Sequence, residues 1–364
     1  MDKNKPIIKK SFTKIKKSKL IDTYQEQLTD LFLLKNPQYR FIKDYQKPLA
    51  EFIKKSDKGN WVFFPWLDKY VHILSEKDFL TVRTGRNKEI ITASEQEKFY
   101  NYNIGVAGLS VGSHAAISIA VMGGGKKMKI ADPDVLSPSN LNRVRYTVLD
   151  IGKKKCDLAS QQIYQINPYA RIFTYPEGLN EKNLINFLAA PPKLDVLIEE
   201  MDNLEMKIRI RLAAKKLKIP VIMATDNGDN IIVDVERYDL DHNLKIFNGR
   251  VGDLTLSDFK KIHPQDMPRL STKIAGQDKV APRMQISLLQ VGKTIYSWPQ
   301  LGDAAMLSGV AVAYLVRRLA NKQPLKSGQY EVNLDAIFDP TYNQKQKIAQ
   351  RQKQLKKFLN IIGL

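Results

Sequence analysis

Residues 101–145 read NYNIGVAGLSVGSHAAISIAVMGGGKKMKIADPDVLSPSNLNRVR, and this stretch decides the fold class. Asn103 to Ala107 is a short apolar run ending at Gly108. The GLSVG turn then feeds a segment of Ala, Ile, Ser and Val long enough for three helical turns. The pattern predicts strand, Gly-rich turn, helix and second strand, the last at Lys129 to Ala131 and closed by Asp132. A turn with little side chain lets a phosphate reach backbone amides at a helix N-terminus, where the dipole favours negative charge. Asp132 follows Gly108 by 24 residues, near the ~20 at which an acid meets a ribose hydroxyl in dinucleotide folds. Ser110 and Ser113 stand where two glycines of the dinucleotide fingerprint would be. A nucleotide site is therefore expected at Gly108, Ser110 and Gly112, with Asp132 opposite.

Downstream, the same alternation repeats. A helix is expected over Asp150 to Ile166, entered through Gly152 and ended by Asn167-Pro168. Strands follow near Ala170 to Tyr175, at Leu194 to Glu199 and at Pro220 to Ala224, with a basic helix over Leu204 to Leu217 between the last two. This order predicts an α/β fold with a doubly wound, mainly parallel, Rossmann-like sheet. Beyond Asp226, IIVDVERYDL and KIFNGRV alternate like antiparallel strands that extend the sheet. Residues 253–283 form a polar, Pro-containing excursion expected to touch substrate. A long small-residue helix is expected from Trp298, suited to close helix packing or a dimer interface, and a last strand at Gln329 to Leu334.

Upstream, residues 1–20 read as disordered or loosely helical, Leu20 to Leu34 as an amphipathic helix, and Asn60 to Trp66 as an aromatic strand whose Trp61 and Trp66 fill a core. Arg83 and Arg86, three apart, precede a helix capped by Thr92 or Ser94. The boundaries expected are a basic N-terminal tail and helical, aromatic extension over 1–100, a nucleotide-binding domain over 101–335, and a basic tail over 336–364.

Composition narrows the class. The chain has 364 residues, ample for a large core. Its single cysteine, Cys156, rules out an intramolecular disulfide framework and a multi-cysteine zinc site. Four scattered histidines lack metal-ligand spacing, so no structural metal is expected. No apolar leader opens the sequence, and a cytoplasmic location is the default. The net charge of +20 is concentrated at the ends: residues 1–20 carry +7 and residues 340–364 carry +6. Such ends could hold RNA, DNA or an anionic membrane surface, or be solvated lysine-rich tails.

Four groups fall where open α/β sheets bind ligands: Asp132, the SPSNLNR loop with Asn140, Asn142 and Arg143, Lys155 of GKKK, and Asp202 of MDN. Together they offer a ribose acceptor, amide donors, two phosphate-binding cations and a carboxylate for magnesium. The run DxDxxxxSNLNR, followed by GKKK, an INP-terminated helix and a hydrophobic strand leading to MDN, resembles the ThiF and MoeB type adenylyltransferases, the superfamily that includes ubiquitin-activating enzymes. The similarity spans about residues 83–335. The GLSVG turn, WPQLG and RTGRN look most like a bacterial ThiF-like subgroup found alone or fused to nitroreductase-like domains.

The resemblance implies an enzyme that uses ATP and magnesium to adenylate a carboxylate, with release of pyrophosphate. The substrate would be a ubiquitin-like or peptide C-terminus or a small acid. By position, Asp132 would accept from the ribose, Asn140, Arg143 and Lys155 would hold the triphosphate, and Asp202 would take magnesium. Arg86 matches a family arginine that reaches a neighbouring subunit's phosphates, which implies a homodimer. The sequence departs from the family at Val111 in the glycine turn, at Asn87 in RTGRN, and in having no cysteine after Asp202 and no paired CxxC. Cys156 follows Lys155 on one helix and points about 100° away from it, so it reads as structural and no thioester step is expected. Two other readings stand beside this one: a relative acting on a modified tRNA base, and a nucleotide-binding scaffold without catalysis.

Overall fold

The computed structural model describes residues 3–13 and 15–364, which divide into two compact units. The first comprises residues 1–101, 119–126 and 160–171. Its sheet has four strands, β1 (Ile7–Lys9), β2 (Leu20–Asp22), β3 (Asn60–Phe64) and β4 (Lys69–Ile73), in the order β1-β3-β4-β2. The amphipathic pattern of 20–34 becomes a helix at Tyr24–Lys35 that buries Tyr24, Leu28, Leu31 and Phe32. Val62, Phe64 and Ile73 form a second apolar cluster, with Trp66 packed edge-on to Phe64 at 5.3 Å. Trp61 stacks on His72 at 4.3 Å. Residues 7–9 are a strand and not the loose helix or disorder expected, because Ile7 to Lys9 complete the edge of β3 by antiparallel pairing. Thr92 is the helix cap: its Oγ1 accepts from the Glu95 amide at 3.3 Å, and Glu95 accepts from the Thr92 amide at 2.9 Å.

The second unit comprises residues 102–118, 127–159 and 172–364. It holds β5 (Asn103–Ala107), β6 (Lys127–Ala131), β7 (Arg171–Tyr175, its first residue outside this unit), β8 (Val196–Glu199), β9 (Val221–Asn227), β10 (Asn230–Glu236) and β11 (Gly328–Val332) in the order β11-β10-β9-β8-β5-β6-β7. Pairing is parallel across β9, β8, β5 and β6 and antiparallel from β9 through β10 to β11. This is the α/β, Rossmann-like sheet with an antiparallel extension that the sequence predicts. The chain leaves β5 for β6 on one side and returns to β8 on the other, so the open ends of β5 and β8 form the switch point where such sheets bind ligands.

A buried lysine in β6 has a specific task. Lys129 donates to the carbonyls of Asn186, Phe187 and Ala190 at 3.1, 2.9 and 2.7 Å, capping the helix Leu184–Ala189 from beneath. The long helix begins at Gly302 and runs to Ala320; Trp298 to Leu301 ahead of it is not helical. Its Gly309 lies so close to His114 that a Cβ would clash with the His114 backbone and Cβ, the close helix packing its small residues suggested.

Two segments depart from the sequence expectation. KIFNGRV is no strand: Ile246–Gly249 is a tight turn with Phe247 and Asn248 left-handed, because the Phe247 amide is drawn to Glu236 at 2.6 Å and its ring lies under Arg211. The helix of 150–166 starts only at Lys155, since Asp150 closes a capping turn on Thr147 and the Leu136 amide reaches the Lys153 carbonyl. Within the basic segment 336–364, Lys345–Ile361 is a helix whose Phe358 packs on Val280 and Met284. Among the described residues, no helix is long and apolar enough to cross a membrane.

Candidate active site

The glycine turn closes on Asp132. Gly108 has φ +91°, and a Cβ there would run into the Glu200 carbonyl, so only glycine lets β5 and β8 approach this closely. The Asp132 carboxylate is buried and accepts the Leu109 amide at 2.6 Å and the Asp134 amide at 2.8 Å. One acid thus ties the turn after β5 to the loop after β6. Burial raises its pKa, with Lys155 acting in the opposite direction.

Two cations meet the turn: Lys155 lies near its acid, Asp132, and Arg143 reaches its Ser110. Lys155 is buried, with Nζ 2.8 Å from Asp134 and 3.9 Å from Asp132. Asp134 is a partner the sequence reading did not assign. Asn140 accepts from the Ser137 amide at 3.1 Å and closes the short SPSN turn, so its carbonyl oxygen is structural. Arg143 donates from Nε to Ser110 Oγ at 3.2 Å, and from Nη1 to the Ser139 carbonyl and to Asn142 Oδ1, each at 3.0 Å. His114 Nε2 lies 2.6 Å from the Arg143 carbonyl, and burial lowers its pKa, which favours the neutral ring. Gly112 is tight against Val106, and Val111 is buried at the helix start.

Beyond Arg143 opens a cleft of about 420 Å³. Ser110 and Arg143 line it together with Glu200, Asp202, Lys207 and Trp298. Ser271, Ile274 and Ala275 of the 253–283 excursion line it as well. Asp202 lies in the cleft with its side chain exposed. Asp226 accepts from Ser308 Oγ at 3.0 Å and from Gln300 Nε2 at 3.1 Å, and burial pushes its carboxyl up to about 6. Burial also holds Glu200 well above the usual carboxylate range, although it accepts the Ala224 amide at 2.8 Å.

Lys207 joins the cleft to an ionic network whose Arg211, Glu199 and Glu236 are fully buried. Arg211 pairs with Glu199 and, at 2.7 Å, with Glu236, while Tyr238 donates to Glu236 at 2.5 Å. Lys207 is 3.2 Å from Glu199. Glu199 in turn accepts the Met201 amide at 2.8 Å, fixing the backbone that carries Asp202.

Cys156 is buried beside the carbonyls of Ile130, Asp132 and Tyr175, and burial pushes its thiol up to about 12. It is a structural thiol. Arg83 and Arg86 belong to the first unit: Arg83 donates to the Ala120 carbonyl at 3.0 Å, and Arg86 is exposed on the turn Gly85–Asn87. The sequence reading missed Asp134, Glu200, Lys207, Asp226, Trp298 and Gln300. The acids Asp234 and Glu236 inside the apolar run IIVDVE were the visible signal that a buried cation had to be found.

Residues 84–228 match the ThiF family model. The chain carries a ThiF-family domain. An uncharacterized protein of Mycobacterium tuberculosis, MT1398, is 34% identical over 319 residues, which is 88% of this chain and 42% of that protein. The sulfur carrier protein ThiS adenylyltransferase of Escherichia coli K12 is 27% identical over 157 residues, 43% of this chain and 61% of that enzyme. The chain therefore spans less than two thirds of the length of both curated relatives. Among solved structures, E. coli tRNA N6-threonylcarbamoyladenosine dehydratase, TcdA, aligns with a TM-score of 0.48 at 19% identity, covering 66% of this chain and 95% of that one. The ThiF-family domain contains the glycine turn, Asp132, the SNLNR loop, Lys155 and Asp202.

Proposed function

We propose that this protein adenylates a carboxylate with ATP, in keeping with its similarity to the ThiS adenylyltransferase of E. coli. The observation that carries the reading is the adjacency of two sites: a glycine-gated turn flanked by Asp132, Lys155 and Arg143, and a cleft sharing Ser110 and Arg143 with it. The residues fit a nucleotide. Gly108 lets the turn close against the Glu200 backbone without a side chain in the way, and the buried Lys155 holds a cation beside Asp132. Asp132 has lone pairs left for ribose hydroxyls after accepting two amides.

In the reaction, a carboxylate oxygen held in the cleft bonds to the α-phosphorus. The bond from that phosphorus to the bridging oxygen breaks, and pyrophosphate leaves with the electron pair. Arg143 and Lys155 stabilise the charge that builds on the phosphates, with Lys155 exchanging Asp134 for a phosphate oxygen. Asp202 is the carboxylate suited to magnesium. A single protein carboxylate is enough for an ion that keeps water and phosphate ligands, and among the described residues no cluster of three or more His, Cys, Asp or Glu is placed to hold a metal. Cys156 takes no part, so the acyl group passes from the adenylate to a separate acceptor without a thioester. The cleft suits a peptide or ubiquitin-like C-terminus or a small acid. Arg86, exposed on its own unit, is the residue we assign to a partner copy in a homodimer.

Pyrophosphate exchange tests the reading. Exchange is expected with ATP, magnesium and an accepted carboxylate from a panel, and its loss in Lys155→Ala and Asp202→Ala. Exchange unaffected by both substitutions, or absent with every carboxylate, removes the enzyme reading; nucleotide binding that persists then leaves a scaffold. A second reading, a carboxylate carried on RNA, draws on the helix Lys345–Ile361, which exposes Lys345, Lys347, Lys353, Lys356 and Lys357 with no acid among its residues. It predicts tRNA binding that weakens steeply with salt; salt-independent or absent binding removes it.

A further inference from the structure

Asp226 and Gln300 lie outside the glycine turn and the SNLNR loop, yet a continuous run of hydrogen bonds joins them to Arg143. Asp226, near the end of β9, accepts Gln300 Nε2 at 3.1 Å. The Gln300 main-chain carbonyl accepts Asn142 Nδ2 at 2.9 Å. Asn142 Oδ1 accepts Arg143 Nη1 at 3.0 Å, and Arg143 Nε reaches Ser110 Oγ at 3.2 Å. The same Asp226 accepts Ser308 Oγ at 3.0 Å, which pins the helix that starts at Gly302. At that start, a Cβ on Gly302 would sit 2.6 Å from the Asn142 carbonyl, so glycine is what allows the segment to close on the loop.

We infer that Gln300 is a positioning residue for Arg143. Its side chain is anchored on Asp226, and its carbonyl holds Asn142, which orients the guanidinium toward the glycine turn. Asn142 is exposed and would otherwise sample several rotamers. An arginine kept in one geometry loses less side-chain entropy when it meets phosphate than one fixed only on binding. The WPQLG segment, which reads in sequence as the start of a helix, braces the nucleotide-facing arginine.

The inference rests on the adenylation reading for its functional consequence but not for its geometry, and the experiment separates the two. Affinity for a non-hydrolysable ATP analogue with magnesium is measured by calorimetry, and Arg143 is located in crystal structures, for the wild type and four variants. Gln300→Met removes the donor. Gln300→Glu sets two carboxylates against each other, and Gln300→Glu with Asp226→Asn restores a hydrogen bond of reversed polarity. Asn142→Ala cuts the run at an exposed position where folding is not at stake.

Gln300→Met, Gln300→Glu and Asn142→Ala are expected to release Arg143 from Ser110 and weaken the analogue about tenfold, the worth of one charge-assisted contact. The paired Gln300→Glu/Asp226→Asn variant is expected to recover both. In an Arg143→Ala background, Gln300→Met is expected to cost nothing further. Arg143 unmoved in Gln300→Met and Asn142→Ala overturns the inference, as does a Gln300→Met loss that simply adds to that of Arg143→Ala. If the wild type binds no analogue, the nucleotide reading fails, and the position of Arg143 in the variant structures still decides this one.

Discussion

Replacing Arg211 with methionine probes the buried network that Lys207 joins to the cleft. Arg211 is fully buried and bonds to Glu199 and Glu236, both also fully buried, with its guanidinium 4.1 Å above the Phe247 ring. Methionine fills much of the volume but leaves two carboxylates without their cation; Glu199 keeps Lys207 at 3.2 Å, and Glu236 keeps Tyr238 and the Phe247 amide. Stranding one partner of a buried pair costs about 3–5 kcal/mol, a large part of the roughly 5–15 kcal/mol that holds a domain together. For a unit of this size it lowers the melting temperature by roughly 6–20 °C. The loss depends on pH. Although burial opposes it, Lys207 and Arg211 hold the Glu199 carboxyl below its ordinary 4.5. The stabilisation it gives is therefore present above that value and disappears as pH falls through the lower folded one. Thermal and urea unfolding at pH 7.5 and near pH 3.5 measure both effects. A melting shift under 2 °C at neutral pH, or a gap between variant and wild type that widens in acid, would refute the reasoning.

Asp226 gives a pH effect of opposite sign. Burial raises its carboxyl to about 6 from 3.8, so its contribution is present in acid and fades as pH rises from about 4 to 6, against the opposing pull of Arg143. Asp226→Asn should flatten that part of the stability profile, which unfolding at half-unit pH intervals would show. Gly309→Ala should destabilise by about 1–3 kcal/mol through its clash with His114, while Met306→Ala on the exposed face of the same helix should change stability by less than about 0.5 kcal/mol; equal urea midpoints for the two would contradict the packing described. Native Cys156 should resist alkylation at pH 8 and react only after unfolding, because it is buried with a raised pKa. Rapid labelling of the folded protein, followed by mass spectrometry, would show otherwise.

The elements legible in sequence were those whose pattern and packing agree. The helix Leu204–Leu217 has the limits expected, and β5, β6, β8 and β9 follow from apolar runs between turn residues. What escaped was decided by distant partners. The turn at Phe247 exists because a buried glutamate calls its amide, and strand β1 exists because β3 offers an open edge. In the site, Asp132, Arg143, Lys155 and Asp202 stood out as charges at strand ends. Asp226 and Gln300 did not, since an acid after an apolar strand and a glutamine after a proline carry no signal until β9 and the segment at 298–301 meet. Nor did the sequence reveal that Asp132 spends both oxygens on backbone amides, a role in shaping the turn that precedes any role toward a ribose.

Calorimetric titration with a non-hydrolysable ATP analogue and magnesium tests the nucleotide site most directly. Saturable binding is expected for the wild type, weakened at least tenfold in Lys155→Ala and in Arg143→Ala and unchanged in Cys156→Ala. No binding by the folded wild type, or equal binding by all four proteins, would contradict a nucleotide site at the Gly108 turn.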